Sequence, residues 1–127
     1  MTFLRIIKFA VALLLATLFS VGCNRSASGP PAPLPIEQVS AALQKAFGNA
    51  KPENKALADQ IVTTLQAQDF SKAYYQMQNL ASAPGLNKEQ QSVTSRAVLT
   101  LNTALQSAQS KGDAQAAETL KTYRVNK

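Results

Sequence analysis

From Pro35 onward, apolar residues recur three and four positions apart and never alternate with polar ones for long enough to build a strand. That spacing restricts the chain to helices with one buried stripe each, and local stop signals set their lengths. Ile36, Val39, Leu43, Ala46 and Phe47 form a first stripe, which Gly48 is placed to end. Pro52 suits the opening turn of a second helix, where its missing N–H is not needed, and Leu57, Ile61 and Leu65 carry that helix to about Ala67. Asp69 is a natural N-cap for a third helix, which bears Phe70, Ala73, Tyr74, Met77 and Leu80 and stops at Ser82-Ala83-Pro84-Gly85. Asn87 with Gln90 makes a variant of the capping box. It opens the longest helix, about 88–110, with Val93, Ala97, Leu101, Leu105 and Ala108 inward. Gly112 ends that helix, and Asp113 caps a last short one whose Ala117 and Leu120 face the core. The fold class expected is all-α: a compact bundle of about five helices in antiparallel hairpins over residues 35–127.

The N-terminal residues have a different chemistry. Arg5 and Lys8 precede an apolar run of 11 residues, Phe9 to Phe19, and Ser20-Val21-Gly22-Cys23 follows. The run is short of the roughly 20 residues that a membrane-spanning helix needs. A cationic start, an apolar core and small residues at its end have the order of a secretory signal. Val21, Gly22 and Cys23 resemble the bacterial lipobox, with Ser20 standing where Leu is usual. The resemblance implies that residues 1–22 are removed as a signal peptide and that Cys23 becomes the new N-terminus. It also implies a covalent diacylglyceryl group and an acyl chain on Cys23, which make a membrane anchor. Ser20 and Gly22 fit the ordinary signal peptidase as well, so plain secretion or an uncleaved membrane anchor is the alternative.

Residues 23–34 read as the lipidated N-terminus and its linker. Ser and Gly keep such a segment flexible, and Pro30, Pro31 and Pro33 keep it extended. Asn24 after the cysteine resembles the outer-membrane sorting pattern. The localisation expected is the bacterial cell envelope, lipid-anchored and facing the periplasm or exterior.

The rest of the chain offers little reactive chemistry. It has no His, which removes the commonest general base near neutral pH and the commonest zinc ligand. Cys23 is its one cysteine and has no neighbouring base to activate it. Asp69 and Asp113 are accounted for by capping, and Glu89 by the helix dipole. Thirteen cations against seven acids give +6, and the loss of Arg5 and Lys8 with the signal leaves +4, scattered along the chain. No catalytic residue, no metal, no dissociable cofactor and no nucleic-acid partner is expected.

Two further resemblances are local. Gln68-Asp69-Phe70-Ser71-Lys72-Ala73, followed by Met77, Leu80 and Pro84, resembles half of a degenerate tetratricopeptide (TPR-like) hairpin, and Lys111-Gly112-Asp113-Ala114-Gln115-Ala116-Ala117 echoes it 44 residues on. Ile61 and Thr64 depart from the family's small and aromatic positions, and a true repeat returns after about 34 residues. Tyr123-Arg124 with the final Lys127 resembles the end of murein lipoprotein, whose terminal Lys joins peptidoglycan.

Tyr74 and Tyr75, Val98 and Leu99 are the candidate interaction surface, since adjacent residues on a helix point about 100° apart and one of each pair faces outward. The function expected is a non-enzymatic interaction or scaffold module with an envelope protein as partner. The alternative is an envelope hydrolase or a peptidoglycan-associated accessory protein.

Overall fold

The structure, a computed structural model, describes residues 29–125. Cys23 and the signal-like segment lie outside the described residues. The chain divides at Pro30, and the unit from Pro31 onward is the one characterised below. It contains helices α1 (Ile36–Phe47), α2 (Pro52–Gln66), α3 (Phe70–Ala81), α4 (Lys88–Ser110) and α5 (Ala114–Val125), and no strand among the described residues. The all-α bundle expected from the sequence is the fold observed.

Connections of three to six residues force sequential helices to double back on one another. Helices α1 to α4 close a ring, with α4 returning to α1, while α5 lies on the far side of α4 and touches α3. Val39, Leu43 and Phe47 from α1 meet Ile61, Met77, Leu80, Leu101 and Leu105 at the centre, all essentially without solvent contact. Burying one such side chain contributes ~1.5–3 kcal/mol.

Helix α4 touches α1, α3 and α5, so its buried sector is wider than the expected apolar stripe and takes in Gln90, Thr94 and Thr100. Val93, expected inward, is only partly buried. The threonines are tolerated because their hydroxyls bond within the helix: Thr94 Oγ1 donates to the Gln90 carbonyl at 2.9 Å and Thr100 Oγ1 to that of Arg96 at 3.0 Å. On α2 the burial runs through Ala58, Ile61, Val62 and Thr64, leaving Leu57 and Leu65 at the margin.

The expected inward position of Ala117 is corrected to Ala116. Asp113 fixes the helix start, and the stripe then runs Ala116, Thr119, Leu120 and half-buried Tyr123 at helical spacing, with Ala117 about 100° off it.

The α2–α3 and α4–α5 junctions share one geometry. In the first, Asp69 N donates to Thr64 O at 3.2 Å and Gln68 N to Leu65 O at 2.9 Å; in the second, Asp113 N donates to Ala108 O at 3.1 Å and Gly112 N to Gln109 O at 3.0 Å. Each is a Schellman closure. Its left-handed residue is Gly112 (φ 93°) in one junction and, at steric cost, Gln68 (φ 57°) in the other. Each aspartate then caps the next helix, Asp69 accepting from Lys72 N at 3.0 Å and Asp113 from Ala116 N at 3.0 Å.

At the opposite end, the capping box forms in full. Gln90 N donates to Asn87 Oδ1 at 2.8 Å and Asn87 N to Gln90 Oε1 at 3.0 Å. The Gln90 amide also reaches 3.1 Å to the Ala46 carbonyl, tying the start of α4 to the end of α1.

Two substitutions test these devices by urea denaturation. Gln90→Ala strands the Ala46 carbonyl and the Asn87 N–H and lowers stability by about 2 kcal/mol. Gln68→Gly removes the left-handed strain and raises it by roughly 0.5–1 kcal/mol, partly offset by the freer unfolded chain.

Candidate functional site

The four residues expected to form an interaction surface divide between core and solvent. Tyr74 is buried (4% exposed), and Val98 packs half-buried against the core. Tyr75 is 45% exposed and Leu99 40%. Tyr123, from α5, joins the two tyrosines. Its ring meets Tyr74 edge-on at 4.6 Å between centroids and lies tilted against Tyr75 at 5.3 Å. Both separations fall in the range where aromatic quadrupoles attract. Tyr75 is thus an outward aromatic held by a neighbouring ring. Tyr123 was not among the residues expected to face inward; its i+7 relation to Ala116 was the signal that it belongs on the buried side of α5.

On α4, Leu99 lies between Thr103 on one side and Asn102 and Gln106 on the other when projected at 100° per residue. Leu99 therefore forms a ridge between two concavities. The smaller one, about 100 Å³, is bounded by Asn102, Gln106, Tyr74 and Tyr123.

The larger concavity is a surface groove of about 490 Å³, within the roughly 300–1,000 Å³ range of ligand sites. Its origin is a length mismatch. Helix α4 has 23 residues and α1 has 12, so α1 covers only half of the α4 face it packs on. Gln90 stands opposite Ala46 and Thr100 opposite Leu34, which leaves the face from Thr103 to Lys111 beyond the reach of α1. Leu34 and Ile36 line the groove toward its Thr100 end, and Phe70 lines it from the start of α3. The strap leading into α1 is pinned there: Arg96 Nε donates to the Ala32 carbonyl at 2.8 Å and Thr100 Oγ1 to that of Leu34 at 2.6 Å. The sequence showed the unequal helix lengths, but not which face would go uncovered.

The carboxylates are dispersed. Asp69 and Asp113 are engaged as caps, and Asp59 pairs with Lys55 at 2.8 Å on the surface of α2. Glu37, Glu53 and Glu89 occupy first turns, where the helix dipole favours them. No group of three or more His, Cys, Asp or Glu gathers at metal-binding spacing among the described residues. Compared with protein families, curated proteins and solved structures, the chain finds no match.

The Tyr123 hydroxyl is pushed above its ordinary value of 10.0, first by burial and then by the neighbouring Tyr75 and Tyr74. The folded state therefore keeps this proton to higher pH than the unfolded chain does. The stability linked to it is intact below the unfolded value of about 10 and is lost as pH rises through the folded one. Urea midpoints measured from about pH 9 upward fall with pH in the native protein and fall less steeply in Tyr123→Phe, which has no proton to lose.

Proposed function

We propose that this protein is a lipid-anchored, non-enzymatic interaction module of a bacterial envelope, held at the membrane through Cys23 and contacting another envelope protein through the outward faces of α3 to α5. The observation that carries the binding role is Tyr75. It is a large aromatic, nearly half exposed, and its position is fixed by the Tyr123 ring rather than left free in solvent. A preordered aromatic costs little entropy to bury, and this is the residue type over-represented where interfaces concentrate their energy. Leu99 at 40% and Val125 at 76% exposure add apolar surface on the neighbouring helices. The anchoring role rests on the order Phe9–Phe19, Val21-Gly22-Cys23 and the Pro-rich spacer after it.

Two measurements test the two halves separately. Mass spectrometry of the mature protein finds an N-terminus at Cys23 carrying diacylglyceryl and acyl groups; a free thiol on material released by osmotic shock refutes the anchor. A photocrosslinker at position 75 in intact cells captures one envelope protein, and Leu99→Ala lowers that yield by roughly 3- to 30-fold, the range for a peripheral to moderately important interface residue. Absence of any specific adduct refutes the interaction surface.

A further inference from the structure

The groove beside α4 points to a second kind of ligand, and we infer that it binds the hydrocarbon chain of a free long-chain fatty acid, with the carboxylate at Lys111. The inference does not depend on the lipid anchor or on the surface around Tyr75.

Three features of the groove select this occupant. The first is its bore. From Thr100 to Lys111 the wall of α4 rises about 16 Å at 1.5 Å per residue. A volume of about 490 Å³ spread over that length makes an elongated slot that holds a single extended alkyl chain.

The second feature is the lack of hydrogen-bonding capacity along the walls. Leu34, Ile36, Phe70, Ala104 and Ala108 are apolar, and the two threonines have turned their hydroxyls to the backbone. Thr100 Oγ1 serves the carbonyls of Leu34 and Arg96, and Thr103 Oγ1 donates to that of Leu99 at 3.1 Å. An extended peptide laid in this slot leaves its own N–H and C=O groups without partners, a penalty that a hydrocarbon chain escapes.

The third feature is the polarity of the two ends. Leu34 lines the groove at the Thr100 end, whereas Ser107 and Lys111, one helical turn apart and both exposed, stand at the other. Lys111 is the single charged residue on the lining among the described residues. Apolar at one end and cationic at the other, the slot matches a chain that ends in a carboxylate.

The test uses the native protein in its own membranes, labelled with a hexadecanoate bearing a diazirine near its methyl end and mapped by tandem mass spectrometry. Adducts are expected on the peptides carrying Phe70 and residues 100–111, with competition by unlabelled hexadecanoate. Potency should rise roughly two- to fourfold per methylene along the saturated series until the groove is full, then level off. Ala104→Leu, which fills the slot, should cut labelling at least fivefold with unchanged far-ultraviolet circular dichroism. Lys111→Gln should weaken the hexadecanoate probe roughly threefold, the worth of one exposed ion pair, and leave the hexadecanol analogue unchanged. This second variant and the chain-length series decide the matter if Ala104→Leu misfolds. Adducts scattered over the helices, no dependence on chain length, or equal losses for acid and alcohol in Lys111→Gln overturn the inference. So does labelling that appears only in Cys23→Ser, which would assign the slot to the protein's own acyl group.

Discussion

Helix α4 sets the architecture because it is nearly twice as long as the helix it pairs with in α1. Every other element is placed by what it finds along those 23 residues: α1 on the first half of one face, α3 on a second face, α5 on a third. The registration comes from polar contacts rather than from apolar packing. Gln90 reaches the end of α1, and Thr100 reaches Leu34, two residues before its start. These two bonds, ten residues apart on α4, align α1 along its length, and they fix where the protection of α4 stops. An apolar stripe alone could slide by a turn at modest cost, because Leu and Ala present similar surfaces at each step. The Gln90 amide, held in place by its own capping box, cannot slide past α1 without losing the Ala46 carbonyl.

The parts of the fold legible in the sequence were those governed by local rules. Asp69, Asn87, Gln90 and Asp113 announce helix starts through the oxygen each offers to an unpaired N–H, and all four do so in the structure. Positions whose environment is set by a distant segment were harder to read. Thr94 and Gln90 look like surface residues until α1 and α3 close over them. Gln68 gives no hint of a left-handed backbone, because the tight link from α2 to α3 imposes it. Tyr123 shows its place only once the phase of α5 sets it beside Tyr74 and Tyr75. In each case a neighbouring helix, invisible to a local pattern, supplied the deciding contact.

The candidate surface was legible to the same degree. Adjacent aromatic and aliphatic pairs on a helix must divide between core and solvent, and Tyr74–Tyr75 divides as the geometry requires. Which member would face outward depended on the phase of α3 against α4, which the stripe of Ala73, Met77 and Leu80 fixes. The groove belongs to a different category, since it is a space left by mismatch rather than a surface built by a motif. Its chemistry follows from hydroxyls spent on backbone carbonyls, which make threonine behave as a small apolar residue wherever its methyl is the part left showing.

The strap before α1 has a mechanical consequence. Its carbonyls at Ala32 and Leu34 are gripped from the middle of α4, by Arg96 and Thr100, rather than by the helix that immediately follows. Tension arriving from the N-terminal side meets these two clasps before it reaches Ile36. The load is shared along the bundle's longest strut, and α1 is spared being peeled away turn by turn from its free tip. A small domain loaded at its N-terminal end gains resistance to shear from that routing without adding a single residue to its core.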